Sequence, residues 1–284
     1  MPIDLSSLFS FAFIQRALVV GILVSVCSAL LGINLVLRRF SMIGDGLSHV
    51  GFGSLALALV LGAEPLAIAI PIVILAAFFM LWLNAHGKMQ GDASVAMLSS
   101  SALAIGILVT SFSSGLNIDL NSYMFGSILA VSQSDMWISV IVSAVVLVLY
   151  LVCYHPMFSI TFDEPFAAAT GTRASFYNTI LSLLTALTVV VGMRLMGTLL
   201  ISPLIIFPAL TAMRVCKSYR GVVICSVATS VLSLVLGLIL SFLFSLPTGA
   251  TIVTVNLVFF LGFSAFSFLR GLLRRSSHPV RTEK

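Results

Sequence analysis

Charged residues are scarce in this chain. Of its 284 residues, 14 are Lys or Arg and nine are Asp or Glu, whereas 60% are hydrophobic and the mean hydropathy is +1.20. A soluble domain could not bury so much apolar surface, and the composition is typical of a helical protein that crosses a membrane several times. The net charge of +5 is modest, and we interpret it as a determinant of topology rather than of nucleic-acid binding.

Several catalytic and nucleotide-binding motifs are also missing from the sequence. It contains no GxxxxGK[ST] motif, so any ATP-driven work has to come from another subunit. It contains no HExxH or GxSxG motif, so we expect no enzymatic activity. The four cysteines form no CxxC pair, and we interpret them as small apolar residues. No permanently bound cofactor is predicted.

Long apolar runs predict an all-α integral membrane protein, with a single transmembrane domain covering residues 1–284 and about nine transmembrane helices. The predicted spans are 11–37, 44–62, 66–85, 93–113, 136–153, 176–193, 197–213, 221–244 and 251–269. A further segment, 118–131, is too short and too polar to cross a bilayer. We expect that segment to be re-entrant or interfacial.

Basic residues predict the orientation of these spans. With the C-terminus in the cytoplasm, twelve basic residues are cytoplasmic: Arg38, Arg39, Lys88, Arg173, Arg214, Lys217, Arg220, Arg270, Arg274, Arg275, Arg281 and Lys284. Only Arg16 and Arg194 then lie outside, and the positive-inside rule rejects the opposite orientation. Nine spans place the N-terminus outside, and the basic tail, about 270–284, is expected to anchor at the cytoplasmic membrane surface.

Three of these arginines have further interpretations. We interpret Arg194, at an outer helix end, as an arginine that snorkels to the membrane surface. Arg38 and Arg39 are interpreted as topological anchors, with contact to an ATPase or a role in gating as the alternatives.

An acid and a base share one face of the second predicted span. Asp45 and His49 are four residues apart, so on a helix their side chains point the same way. Ionisable residues inside a membrane are costly and mark ion pathways. Carboxylate oxygen and imidazole nitrogen suit Zn²⁺ or Mn²⁺, although two ligands cannot complete a stable site. The alternatives are that Asp45 caps the helix and bonds to His49 or Ser48, or that the pair relays protons or cations in an ion-coupled secondary carrier.

Two other segments contain candidate functional residues. The longest non-apolar stretch, about 155–175, contains a predicted short helix with Asp163 as its N-cap and Gly171 at its end. That helix is either a plain connector or a docking element for a cytoplasmic partner. In the seventh span, Pro203 and Pro208 free backbone carbonyls, which makes them candidates for a gate or for helix flexibility.

Four sequence blocks resemble the membrane permeases of ABC importers for zinc, manganese and iron. The blocks agree with that family in their order and spacing. They are Arg38–His49, Asp119–Gly126, Phe162–Gly171 and Gly197–Ala212. The resemblance implies a homodimer in a bacterial cell (inner) membrane, with cytoplasmic ABC ATPase subunits and an extracytoplasmic metal-binding protein as partners. It also implies that Asp45 and His49 line the metal path.

The resemblance further implies that Asp163, Glu164, Ala167 and Gly171 belong to a coupling helix that contacts the ATPase. Two copies of the chain would supply four ligands to the path. The sequence around Tyr123 is most similar to zinc permeases, which predicts zinc first and then manganese or iron. Pro203 replaces a more usual non-proline residue and is expected to loosen its span.

Overall fold

The computed structural model describes residues 11–86, 91–112 and 120–276. Lys88, Asp119 and the end of the basic tail, 277–284, lie outside these ranges, so the predictions made for them are not addressed. Within the described ranges the chain is α-helical, with a short 3-10 turn at Ile128–Ala130 and no strand.

Twelve helices follow one another along the described chain. They are α1 (Ala12–Leu37), α2 (Met42–Val60), α3 (Pro65–His86), α4 (Gly91–Phe112), α5 (Leu120–Phe125), α6 (Gln133–Val152), α7 (Tyr154–Phe162), α8 (Glu164–Ala169), α9 (Ala174–Met196), α10 (Ile201–Val215), α11 (Tyr219–Phe244) and α12 (Thr248–Ser276). Eight of them, namely α1, α2, α3, α4, α6, α9, α11 and α12, are long and apolar enough to cross a membrane. With the shorter apolar helix α10, they confirm the predicted all-α membrane fold.

Burial separates central from peripheral helices. In α1 and α9, 72% of the most apolar stretch is buried inside the protein, compared with 11% in α4 and α12. Since the peripheral helices expose side chains such as Ile105 and Phe266, their outer faces suit a lipid environment. Which end of each helix faces the cytoplasm stays a prediction from the basic residues.

Small residues bring α2 close to its neighbour α4. A Cβ atom on Gly53 would lie 2.8 Å from the carbonyl oxygen of Ala102, and one on Gly106 would lie 3.0 Å from the Cα of Gly53. Small residues allow this close approach of two helix backbones in membrane proteins. The glycines around the Asp45 and His49 segment therefore pack helices and fix the position of α2.

The predicted seventh span begins later than expected. Gly197 has φ +83° and ψ 156°, a conformation that stops α9, and residues 198–200 form a turn before α10 begins at Ile201. This turn contacts α5, since Thr198 donates a backbone hydrogen bond to the carbonyl of Tyr123 at 3.0 Å. The helix α5 has only six residues, so the described part of the predicted re-entrant or interfacial segment does not cross a bilayer.

Candidate functional site

Asp45 and His49 lie near the beginning of α2, on one face of the helix. The Nε2 atom of His49 is 3.7 Å from the Oδ2 atom of Asp45, and the two side chains are 13% and 40% exposed, respectively. Because Asp45 is in the first turn, the positive end of the helix dipole favours its negative charge. The pair is therefore partly open, with its two donor atoms close together.

The separation of these atoms suits two ligands of one metal ion. Two donors each about 2.1 Å from a zinc ion lie about 3.4 Å apart at the tetrahedral angle and about 4.2 Å apart on opposite sides of it. The observed 3.7 Å falls between these limits. Small movements would let one ion contact both side chains.

The alternative in which Asp45 serves as a helix cap is wrong. The N-cap of α2 is Ser41, and the Ser48 hydroxyl donates to the backbone carbonyl of Asp45 at 2.7 Å rather than to its carboxylate. The 3.7 Å between His49 and Asp45 is too long for a hydrogen bond. The Nδ1 atom of His49 is buried without a hydrogen-bond partner. The Asp45 carboxylate therefore makes neither the helix cap nor the hydrogen bonds to His49 or Ser48 that this alternative predicted.

The described residues of one chain supply too few ligands for a closed metal site. Across the residues that the structure describes, no three His, Cys, Asp or Glu side chains come together in a group that could hold a metal ion. Structural zinc sites use four protein ligands. The Asp45 and His49 pair can contribute to an ion path, and a closed site requires ligands from elsewhere.

The short helix predicted within about 155–175 is present as α8. Its N-cap is Asp163, whose carboxylate accepts a hydrogen bond from the Phe166 backbone N–H at 2.9 Å. At its end, Gly171 has φ +89°, and the N–H of Thr172 donates to the carbonyl of Ala167 at 2.9 Å. These contacts form a Schellman motif, so both predicted ends of α8 are confirmed. Phe166 is exposed and Ala167 is buried.

The two prolines of α10 differ in position. Pro208 lies inside the helix, where it removes one backbone hydrogen bond, as predicted. Pro203 lies in the first turn, where the N–H has no partner within the helix and proline is tolerated. The expected loosening of a helix interior at Pro203 is therefore wrong, because α10 begins two residues before it.

A family comparison identifies the chain. The model of the ABC 3 transport family matches residues 10–267. The chain belongs to the ABC 3 transport family. Membership in that family and eight helices long and apolar enough to span a membrane make it a multi-pass membrane permease of a bacterial ABC importer, as predicted.

Individual members of the family are similar over most of their length. The chain is 32% identical to the manganese import system permease protein ScaB of Streptococcus gordonii, over 90% of this chain and 92% of that protein. It is 30% identical to the manganese transport system membrane protein MntC of Listeria monocytogenes, over 97% and 98%. It is 29% identical to the high-affinity zinc uptake system membrane protein ZnuB of Haemophilus influenzae, over 93% and 98%.

A solved structure has the same fold as this chain. The structure of PsaBC from Streptococcus pneumoniae in complex with Fab gives a TM-score of 0.81 at 32% identity. The match covers 91% of this chain and 93% of the other. The predicted resemblance to metal-ion ABC permeases is thereby confirmed.

Sequence reasoning missed a buried ion pair in this ABC 3 family chain. The Nη2 atom of Arg194 lies 2.9 Å from the Oδ2 atom of Asp135, and the side chains are 10% and 2% exposed. Arg194 also lies over the ring of Tyr123, 5.7 Å from its centroid. The snorkelling interpretation of Arg194 is wrong, because its charge is neutralised inside the protein. The Ser132-x-x-Asp135 capping box was a local signal for Asp135, although not for its partner.

A second missed cluster lies at the opposite end of the bundle. The Arg38 side chain is only 8% exposed, and its Nη2 atom is 2.5 Å from the Oε2 atom of Glu164. Arg38 also donates to the side-chain oxygen of Asn178, whose amide donates to Oε1 of Glu164 at 3.2 Å. Arg38 is therefore paired inside the protein, and its interpretation as a topological anchor stays a prediction. The neighbouring Arg39 is exposed, as an anchor would be.

Proposed function

We propose that this chain is the membrane subunit of an ATP-driven importer of a divalent transition metal. The observation that carries the proposal is the partly open Asp45 and His49 pair, with donor atoms 3.7 Å apart inside an apolar bundle. Two copies of the chain would bring four ligands to a path at their shared axis. An incomplete site on each copy suits transport, because an ion must be bound strongly enough to enter and weakly enough to leave.

We propose zinc as the transported ion, ahead of manganese and then iron. An imidazole nitrogen suits zinc, and a carboxylate oxygen suits either zinc or manganese. Similar proteins are named for manganese import and for zinc uptake, so both metals belong in the assay.

The proposed mechanism assigns one task to each end of the bundle. An extracytoplasmic binding protein delivers the metal to the outer mouth. At the cytoplasmic side, ATP-driven closure of the ABC ATPases moves α8. The coupling element is α8 together with its two ends, and it includes Asp163, Glu164, Ala167 and Gly171. The paired bundles then change their relative position, and the ion passes Asp45 and His49.

The test is the uptake of radiolabelled zinc and manganese by cells that carry variants in place of the wild-type chain. Asp45→Ala and His49→Ala are each expected to lower uptake by about tenfold or more, since even residues that only support metal ligands cost about 10–100-fold when mutated. Ser48→Ala is the matched control, because Ser48 is in the same turn but bonds only to a backbone carbonyl. Wild-type uptake of both metals in the two ligand variants would refute the proposal.

A second measurement separates ATP-driven import from an ion-coupled carrier. Depleting ATP while maintaining the pH gradient should stop uptake by the wild-type chain. Uptake that continues under those conditions would instead support a proton or cation relay through Asp45 and His49.

A further inference from the structure

We propose that the cytoplasmic end of α1, through Asn34 and Arg38, couples the movement of α7 and α8 to the helix that carries Asp45 and His49. Asn34 and Arg38 are positioning residues in this inference, which rests on the proposed function. They are four residues apart and therefore share one face of α1.

Asn34 holds α7 from inside the bundle. The carbonyl oxygen of this fully buried carboxamide accepts a hydrogen bond from the Tyr219 hydroxyl at 3.2 Å. It also lies 3.0 Å from the Thr161 hydroxyl, whose single proton is shared between Asn34 and the Met157 carbonyl at 2.7 Å. The amide group of Asn34 donates to the Tyr150 hydroxyl at 3.1 Å and to the Leu30 carbonyl at 3.3 Å. One side chain of α1 thus connects α6, α7 and α11. Breaking such a buried network is costly, so α7 and α1 are expected to move together.

Aromatic packing reinforces the contact between α7 and the bundle. The rings of Phe158 and Phe162 on α7 lie 4.8 Å and 5.8 Å from the ring of Tyr219, measured between centroids. Tyr154 at the start of α7 lies 5.9 Å from the same ring. These contacts restrict independent movement of α7.

Arg38 holds α8 at its first residue. The Arg38 guanidinium, Glu164 and Asn178 form a closed ring of three side chains, with the ion pair at 2.5 Å. Thr161 and Glu164 lie on either side of Asp163, the N-cap of α8. The predicted coupling element is therefore attached to α1 at two points, one on each side of its cap.

A short linker joins this attachment to the metal-path helix. α1 ends at Leu37 and α2 begins at Met42, with Asp45 in its first turn. Arg39 has φ +61°, and the N–H of Phe40 donates to the carbonyl of Leu35 at 2.8 Å, which closes the end of α1 as a Schellman motif. The Phe40 carbonyl in turn accepts a hydrogen bond from the N–H of Ile43 at 3.1 Å. These hydrogen bonds restrict the conformation of the linker.

The space beside this junction permits a small displacement. A cavity of about 440 Å³ is lined by residues of the end of α1, the linker, α2, α8 and α9, among them Arg38, Phe40, Ile43, Glu164 and Asn178. In this inference, movement of α8 shifts the end of α1 toward this space. A shift of α1 would reach the first turn of α2 through the linker.

The experiment compares metal uptake in cells with ATP hydrolysis by the transporter complex. Each full-length variant carries a tag, and the complex with its ATPase is purified from the membranes of the same cells. Arg38→Met and Asn178→Leu, which each break the ring of three side chains, are expected to lower zinc uptake by about fivefold or more while ATP hydrolysis changes less than about twofold. Thr161→Val, which removes the hydroxyl that contacts Asn34, should lower uptake about two- to fivefold.

Two controls separate coupling from simple structural damage. Arg220→Met removes an exposed arginine at the same end of the bundle and should preserve both measurements. The exchanged pair Arg38→Glu with Glu164→Arg should recover uptake relative to Arg38→Met, because it restores an ion pair. If Arg38→Met does not assemble with the ATPase, Asn178→Leu and Thr161→Val decide the question.

Different outcomes contradict different proposals. Uptake and ATP hydrolysis that fall in parallel in Asn178→Leu and Thr161→Val, or that both stay at wild-type levels, would overturn the coupling role of α1. A wild-type complex that hydrolyses ATP while its cells import neither zinc nor manganese through this chain would overturn the proposed function itself.

Discussion

Two carboxylates near the beginnings of membrane helices have opposite surroundings. Asp45 in α2 is 40% exposed, and its basic neighbour His49 is 3.7 Å away on the same helix. Asp135 in α6 is 2% exposed, and it binds Arg194 of α9 at 2.9 Å and the Ser132 backbone N–H at 3.2 Å. The closed pair holds two helices together, whereas the open pair retains room to bind another ion. Partner geometry, rather than residue type, separates the two roles.

The largest effect on stability is expected from breaking the closed pair. Arg194→Met would leave the Asp135 carboxylate buried without its counter-charge, and removal of one partner of a buried ion pair costs about 3–5 kcal/mol. The free energy of unfolding of the purified protein in detergent, measured by denaturant titration, should fall by that amount. The double variant Arg194→Met with Asp135→Asn should recover most of the loss.

The open pair supplies the control for that measurement. Asp45→Ala removes a partly exposed carboxylate without a strong partner, so the free energy of unfolding should change by less than about 0.5 kcal/mol. A similar large loss in Asp45→Ala and Arg194→Met would remove the distinction between the pairs. Wild-type stability of Arg194→Met would do the same.

The difference between contacts within one helix and contacts between helices explains which features the sequence alone could predict. The apolar runs predicted the spans, and the spacing of four residues predicted that Asp45 and His49 share a face, because both properties are local to one helix. The partners Asp135 and Arg194 are 59 residues apart, and Arg38 and Glu164 are 126 apart. Such pairings depend on how whole helices pack, and no local pattern contains that information.

The start of α10 was mispredicted for a related reason. Hydropathy is continuous from Gly197 onward, so the span was predicted to begin there. The observed turn depends on the φ and ψ of Gly197 and on its backbone contact with α5, a segment more than 70 residues earlier. By contrast, both ends of α8 were predictable, because Asp163 and Gly171 act within a few residues.

A moderate effect is expected at the turn that positions the closed pair. Gly197 follows Arg194 by three residues, and its φ of +83° with ψ of 156° is accessible almost only to glycine. A Cβ at this position would also lie 2.4 Å from the Met124 carbonyl oxygen. Gly197→Ala should therefore lower the free energy of unfolding by about 1–3 kcal/mol from the backbone conformation alone.

Gly62→Ala is the matched control for the turn. Gly62 also has a positive φ, +63°, but a Cβ there would meet no atom within 4 Å. Gly62→Ala should therefore lower the free energy of unfolding by about 1 kcal/mol, the cost of the left-handed backbone conformation alone. Equal losses in the two alanine variants would mean that the contact between the turn and α5 adds nothing to the stability of the closed pair.

The smallest effect concerns the serines that precede the two carboxylates. Both α2 and α6 have a serine at the N-cap, but only Ser132 accepts a side-chain hydrogen bond, from the Asp135 backbone N–H at 3.0 Å. Ser132→Ala should lower the free energy of unfolding by about 1 kcal/mol, the usual cost of losing a cap. Ser41→Ala should change it by a few tenths at most, since Ser41 makes no capping bond. A larger loss in Ser41→Ala than in Ser132→Ala, measured in the same detergent, would contradict the assignment of a capping hydrogen bond to Ser132 and none to Ser41.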